Sequence, residues 1–243
     1  MEHFYITDPG IVRSHNEDSV TICKNDLDEY MLVVADGMGG HTGGEIASTI
    51  AVTHLEKKFE SITTLGDKEE AIEFLKQAVN EANVLIYEYT KLNPNSLGMG
   101  TTIVIGIYTK NYLLFGNIGD SSGYVVKNNK LHKITNDHTL VNLLVKTGEL
   151  TKEEAKDHPR KNVLMKALGA NETVEMDVFD VETNIDGVFL CSDGLTNMLN
   201  DEQIMKVLEE KLPLEERIKK LVYKANNRGG LDNIAIAYLK VGE

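Results

Sequence analysis

The chain has 243 residues, 42% of them hydrophobic and 26% charged, and a formal net charge of −13. That is an ordinary globular balance, long enough for one large domain. The acidity speaks against nucleic acid and anionic membrane surfaces, both of which need a basic face. No apolar run approaches the length of a membrane span, and Met1-Glu2-His3-Phe4-Tyr5 has no secretion-signal character, so the expectation is a cytoplasmic chain without membrane insertion.

In chain order, residues 3–7 read as a short strand, then a turn at Asp8-Pro9-Gly10 and a polar segment, Arg13-Ser14-His15-Asn16-Glu17-Asp18. Strand-like runs at 19–24 and 30–35 form a hairpin. Ile46, Ala47, Ile50, Ala51, Leu55 and Phe59 have helical spacing and predict a helix over 44–59. Ala71, Leu75, Ala78, Ala82, Leu85 and Tyr89 predict a second over 67–91, broken at Asn93-Pro94-Asn95-Ser96. Three β runs follow at 101–108, 112–118 and 123–127, with loops too short for crossovers, so their pairing is antiparallel. Residues 125–131 read as one more tight turn. Residues 137–169 are charged, with broken helical patterns, and suit either a lid or a surface helical insertion. Strands at 175–181 and 187–191, helices at 201–211 and 214–226, and a strand at 234–241 complete the chain. Long helices among hairpin-connected strands favour α+β with antiparallel sheets over a doubly wound α/β fold. Cys23 and Cys191 sit in apolar strand-like runs and read as buried free thiols.

One arrangement recurs. Asp36, Asp120, Asp193 and Asp232 each stand at a strand boundary, three of them with a glycine as direct neighbour, and Asp18 closes a further polar segment beside Glu17. One such Asp is a turn residue; Asp36-Gly37 alone is as readily a turn as a site. Several in neighbouring strands suggest converging carboxylates. Two ionised carboxylates about 4 Å apart repel by roughly 4 kcal/mol at an effective dielectric near 20. A cluster must therefore take up protons or cations. Oxygen ligands without Cys or paired His point to Mg²⁺ or Mn²⁺ rather than zinc. A carboxylate between two such ions is the usual two-metal hydrolytic geometry. Arg13 can offer a planar fork to a phosphate, although alone it would be a surface arginine.

These motifs, in order, resemble the metal-dependent (type 2C, or PPM) serine/threonine protein phosphatases in their compact bacterial form. They are Arg13 with Asn16-Glu17-Asp18; Asp36-Gly37-Met38-Gly39-Gly40-His41 with Gly44-Glu45; Gly98-Met99-Gly100-Thr101-Thr102; Asn117-Ile118-Gly119-Asp120-Ser121; Asp137-His138; His158-Pro159 with Asn162; Ser192-Asp193-Gly194-Leu195; and Asp232-Asn233. The chain departs at Ser122, where the family usually continues with Arg, and at Asn136-Asp137-His138-Thr139, where it usually has Asp-His-Ser.

The resemblance implies an α-β-β-α sandwich of two antiparallel sheets flanked by helix pairs. It implies one catalytic domain over 1–243, with 137–169 as a flap. Asp36 would bridge two Mn²⁺ or Mg²⁺ ions, the Gly37 carbonyl would bind the second, and Asp193 and Asp232 would complete the first. Asp18, or Glu17 beside it, would hold metal-bound water, and Asp120 with Asp193 would form a weaker third site. Arg13 would hold the substrate phosphate, and His41 would reach substrate or leaving group, or else be a turn histidine. The implied activity is hydrolysis of phosphoserine and phosphothreonine by a metal-bridging hydroxide, in a monomer opposing a Ser/Thr kinase and acting on its phosphorylated proteins. The alternatives are a non-catalytic regulatory module of the same fold and a metal-dependent hydrolase of small phosphoesters.

Overall fold

Apolar runs without polar interruption become strands buried on both faces. In the computed structural model, which describes residues 1–39 and 43–242, the first half of the chain forms β1 (Glu2–Asp8), β2 (Asp18–Lys24), β3 (Tyr30–Met38), α1 (Gly43–Glu60) and α2 (Lys68–Leu92). The middle forms β4 (Gly100–Thr101), β5 (Ile103–Tyr108), β6 (Leu113–Ile118), β7 (Ser122–Lys127) and β8 (Lys130–Lys133), then the short helices α3 (Leu140–Lys146) and α4 (Lys152–Lys156). The remainder forms β9 (Asp177–Val181), β10 (Gly187–Cys191), the single turn α5 (Asp193–Thr196), α6 (Asp201–Leu208), α7 (Leu214–Asn226) and β11 (Ile234–Lys240).

All pairings are antiparallel and fall into two sheets. One runs β1-β11-β10-β7-β8; the other runs β2-β3-β5-β6-β9, with β4 beside β3. Period-two alternation decides which side chains go where. In β3, Met31, Val33 and Ala35 face α1 and α2, while Tyr30, Leu32 and Val34 face the other sheet. In β11, Ile234, Ile236 and Tyr238 face α6 and α7, while Ala235, Ala237 and Leu239 face inward between the sheets. The three resulting apolar clusters fill the three gaps of an α-β-β-α sandwich, the architecture expected from the sequence.

Local departures have physical reasons. The α2 stripe is buried at Ala71, Leu75, Ala78 and Ala82, but Leu85 is 47% exposed and Ile86 takes its place. A 3.6-residue period drifts over a helix of 25 residues. Of residues 125–131, only Asn128 and Asn129 form the turn; it joins β7 to β8, a short polar strand that sequence patterning does not reveal. The helix expected over 201–211 ends at Leu208. Cys23 and Cys191 are free and buried. Among the described residues, no helix is long and apolar enough to cross a membrane.

Residues 137–169 carry α3 and α4, and of their residues only Val141 is buried. Thr139 and Thr151 cap the two helices, Thr151 in a reciprocal capping box with Glu154. The segment is fastened near its ends, by Leu140 N–H to the Val163 carbonyl, Met165 N–H to the His138 carbonyl, and a bridge between Thr101 and Leu168.

Candidate active site

The sandwich brings the strand-end aspartates to one edge. Asp18 and Asp36 are directly paired across β2 and β3, so the register alone sets their carboxylates on neighbouring strands. Asp36 is fixed through its backbone. Its N–H donates to Thr102 Oγ1 at 3.0 Å, and its carbonyl accepts from Thr102 N at 2.9 Å and Thr101 Oγ1 at 2.9 Å. Gly37 follows because nothing larger fits: a Cβ there would run into the Gly44 and Glu17 carbonyl oxygens. Its N–H donates to the Glu17 carbonyl at 3.1 Å.

The other sheet supplies the opposite wall. Asp193 opens α5 just beyond β10, and Asp232 precedes β11. Asn233 locks three segments together: its Oδ1 accepts Glu17 N–H at 2.8 Å, and its Nδ2 donates to the Pro9 and His15 carbonyls at 2.9 Å each. Ser192 does the same for Asp18. Its hydroxyl donates to Asp18 Oδ2 at 2.7 Å and accepts Ala235 N–H at 2.8 Å. Both residues lie in motifs visible in the sequence, yet their work is done over separations of 216 and 174 residues, which no local pattern reports.

The result is a cleft of about 730 Å³ lined by Arg13, Ser14, His15, Glu17, Asp36, Gly37, Asp120, Asp193 and Asp232, with Asn162 and Leu164 of the 137–169 segment also on its surface. Of the expected site residues, Arg13, Glu17, Asp36, Gly37, Asp120, Asp193 and Asp232 line the cleft. Asp18 is 6% exposed and sits behind them. His41 lies outside the described residues. Arg13 Nη2 donates to Asp232 Oδ2 at 2.9 Å, half-exposed at the mouth.

Electrostatically the floor is under tension. Burial, followed by the charges of Asp18, Asp193, Asp120 and Asp232, pushes the Asp36 carboxyl well above the usual carboxylate range. Burial pushes Asp18 up to about 8, with Asp193, Asp232 and Glu17 adding to it and the Ser192 hydroxyl opposing. Burial and the Asp193 charge bring Asp120 to about 7. Asp193 is raised by burial and Asp232, and Glu17 by burial. Arg13 is raised by its bond to Asp232.

The donor set suits hard cations. It is all oxygen, its charges repel, and among the described residues buried Asp18 Oδ1 has no hydrogen-bond partner. Among the described residues no three acidic, His or Cys groups form a finished cage. The carboxylates share a cleft instead, with one Asp232 oxygen engaged by Arg13. Charge repulsion of this size is what cations in the cleft would relieve.

Comparisons with known proteins agree with this geometry. The protein phosphatase 2C family profile matches residues 12–226. The serine/threonine phosphatase stp of Listeria welshimeri is 42% identical over 237 residues, covering 97% of this chain and 94% of that protein. The structure of the S. agalactiae serine/threonine phosphatase superposes with a TM-score of 0.93 at 36% identity, covering 99% of each chain. The catalytic domain of serine threonine protein phosphatase PstP, solved in complex with 2 manganese ions, superposes at 0.86 with 33% identity, covering 100% of this chain and 98% of that one. With the motifs, the sandwich and the acidic cleft in agreement, the chain belongs to the protein phosphatase 2C family and is a serine/threonine phosphatase of its bacterial type.

Proposed function

We propose that the chain is a single catalytic domain that hydrolyses phosphoserine and phosphothreonine monoesters on proteins in the cleft around Asp36, and that it uses Mn²⁺ or Mg²⁺ there. The observation that carries the reading is the meeting of Asp36, Asp120, Asp193 and Asp232 in one cleft with Arg13 at its mouth. Asp36, the Gly37 carbonyl, Asp193 and Asp232 would hold two ions, with Asp18 or Glu17 orienting water beside them. Asp120 and Asp193 would hold a weaker third. Bound cations supply Lewis acidity and a water acidic enough to attack phosphorus near neutral pH.

The chain's own residues do the positioning. Arg13 has five N–H donors and gives one to Asp232, leaving others for phosphate oxygens. Asp36 is held by Thr101 and Thr102, so its carboxylate need not reorganise as charge develops. Ser192 keeps one Asp18 oxygen occupied and leaves the other free to accept. His41 would reach the leaving group or substrate. The 137–169 segment would serve as a flap over the cleft, to which Asn162 and Leu164 already contribute. The partners would be phosphorylated proteins, among them a Ser/Thr kinase whose action the enzyme opposes. The chain would act in the cytoplasm as a monomer.

The test is hydrolysis of a phosphothreonine peptide, an aryl phosphate and a nucleotide, with Mn²⁺, with chelator, and with Asp36→Asn. Asp36→Asn is expected to lower kcat on the order of 10³-fold, and chelation to abolish turnover. Turnover that survives chelation sinks the two-metal reading, and a preference for the nucleotide sinks the protein-substrate reading.

A further inference from the structure

Three large aliphatic side chains stand in the open next to the Arg13–Asp232 pair. Ile11 is 65% exposed, Val12 61% and Leu231 57%. Val12 directly precedes Arg13, and Leu231 directly precedes Asp232. Their loops are bound to each other: Ile11 N–H and Val12 N–H both donate to the Gly230 carbonyl, at 2.9 and 3.1 Å. Gly230 has φ +50°, and a Cβ there would lie 2.9 Å from Ile11 N, so only glycine permits this approach without strain. Asp8 Oδ1 ties the first loop to the end of α7, from which the second loop leaves, accepting Gly10 N–H at 2.9 Å and Asn226 Nδ2 at 3.0 Å. The chain has thus built a rigid platform and left its apolar side chains in water.

Single exposed aliphatics need no explanation, but a rigid group of them at the rim of a reaction site marks a contact surface. A rigid platform loses little entropy on binding. Arg13 can read only the phosphate, which is the same in every phosphoprotein. Choice among substrates must come from what surrounds it, and on a chain of net charge −13 an aliphatic contact is one that charge repulsion does not oppose.

We propose that Ile11, Val12 and Leu231 form a substrate-selecting platform that receives an aliphatic side chain of the phosphoprotein close in sequence to the phosphorylated residue. The proposal rests on the phosphatase reading above. Because the platform residues adjoin Arg13 and Asp232, the platform lies within about 10 Å of the phosphate, or about three residues of extended chain.

The test uses the full chain with Mn²⁺ and a set of phosphothreonine peptides carrying Leu or Ser at each position from three before to three after the phosphothreonine. An aryl phosphate serves as the substrate too small to touch the platform. The wild-type chain is expected to prefer Leu at one of these positions on the order of tenfold in kcat/KM. Val12→Ser and Leu231→Ser should each erode that preference and leave aryl phosphate hydrolysis unchanged, and Leu231→Met should restore it. No Leu preference at any position overturns the proposal. So does a preference that survives both Ser variants, or a matching loss on the aryl phosphate, which would make the loops mere supports for Arg13. A wild-type chain that cleaves the aryl ester but no phosphopeptide would overturn the phosphoprotein reading itself, and the platform with it.

Discussion

The floor of the cleft and the 137–169 segment at its rim are held in opposite ways. The floor is tied by bonds between residues distant in sequence: Ser192 to Asp18, Asn233 to Glu17, Thr101 and Thr102 to Asp36. The rim segment is stabilised mainly by its own neighbours, through caps at Thr139 and Thr151, with long-range ties only near its ends. The floor also keeps repelling carboxylates together at a cost in stability, whereas α3 and α4 bury almost nothing. On the proposed reading, chemistry would sit where the fold is over-determined, and access would fall to the part with few long-range ties.

Asp36→Asn should break this contrast most sharply. Alongside its loss of activity, the variant is expected to melt higher than wild type in chelator, because the carboxyl that burial and its acidic neighbours drive to take up a proton is gone from the floor. A lower melting temperature there would mean that the carboxylate is structural. Ser192→Ala comes next. It strips Asp18 of its hydrogen-bond partner and leaves Ala235 N–H unpaired, and should cost about 1–3 kcal/mol in denaturant unfolding. A change under about 0.5 kcal/mol would show the floor to be less tightly tied than its bonds suggest.

His138 tests the rim. Its Nδ1 accepts Gly119 N–H at 3.1 Å while Nε2 lies 3.1 Å from Asp177 Oδ2, so it joins the segment's first residues to the loop that carries Asp120. His138→Ala is expected to raise KM for phosphopeptide by tenfold or less, with a smaller change in kcat. An equal fall in kcat would place His138 in the floor.

The smallest effect is that of pH on the metal-free protein. Asp18 at about 8 and Asp120 at about 7 both lie above the usual carboxylate value of 3.8. Each contributes stability that is fully present below the unfolded value and lost as pH rises through the folded one. In chelator, the melting temperature should therefore fall by a few degrees between pH 5 and about pH 8.5, and Mn²⁺ should reverse the fall. A melting temperature that rises over this range would contradict the crowding of the floor.

Much of this was legible in the sequence. The apolar run before Asp36 marked an inner strand, because only a strand covered on both faces can be apolar at every position. The strand-end aspartates marked the residues that converge in one cleft. Glu17 and Asp18 could not be told apart, because they are adjacent at the start of β2 and the sequence does not say which of the two carboxylates reaches the open side. In the structure Glu17 lines the cleft and Asp18 lies behind it. Exposed β8 carries too little hydrophobic pattern to announce itself. The roles of Ser192 and Asn233 depend on partners that only the folded chain brings near. The platform of Ile11, Val12 and Leu231 joins two segments more than two hundred residues apart.

The Asp18–Ser192 hydrogen bond has a mechanical consequence. Asp18 belongs to the sheet containing β3, and Ser192 directly follows β10 of the other sheet, so this bond crosses the seam of the sandwich, alongside the Glu17–Asn233 and Thr7–Asp18 bonds and the apolar contacts of the inner faces. Apolar contacts are non-directional, whereas a short hydrogen bond ties one named atom of each sheet to the other. The seam is therefore pinned at the end where the cleft lies, and a ligand gripping Asp36 from one sheet and Asp193 from the other would act as a further rivet there.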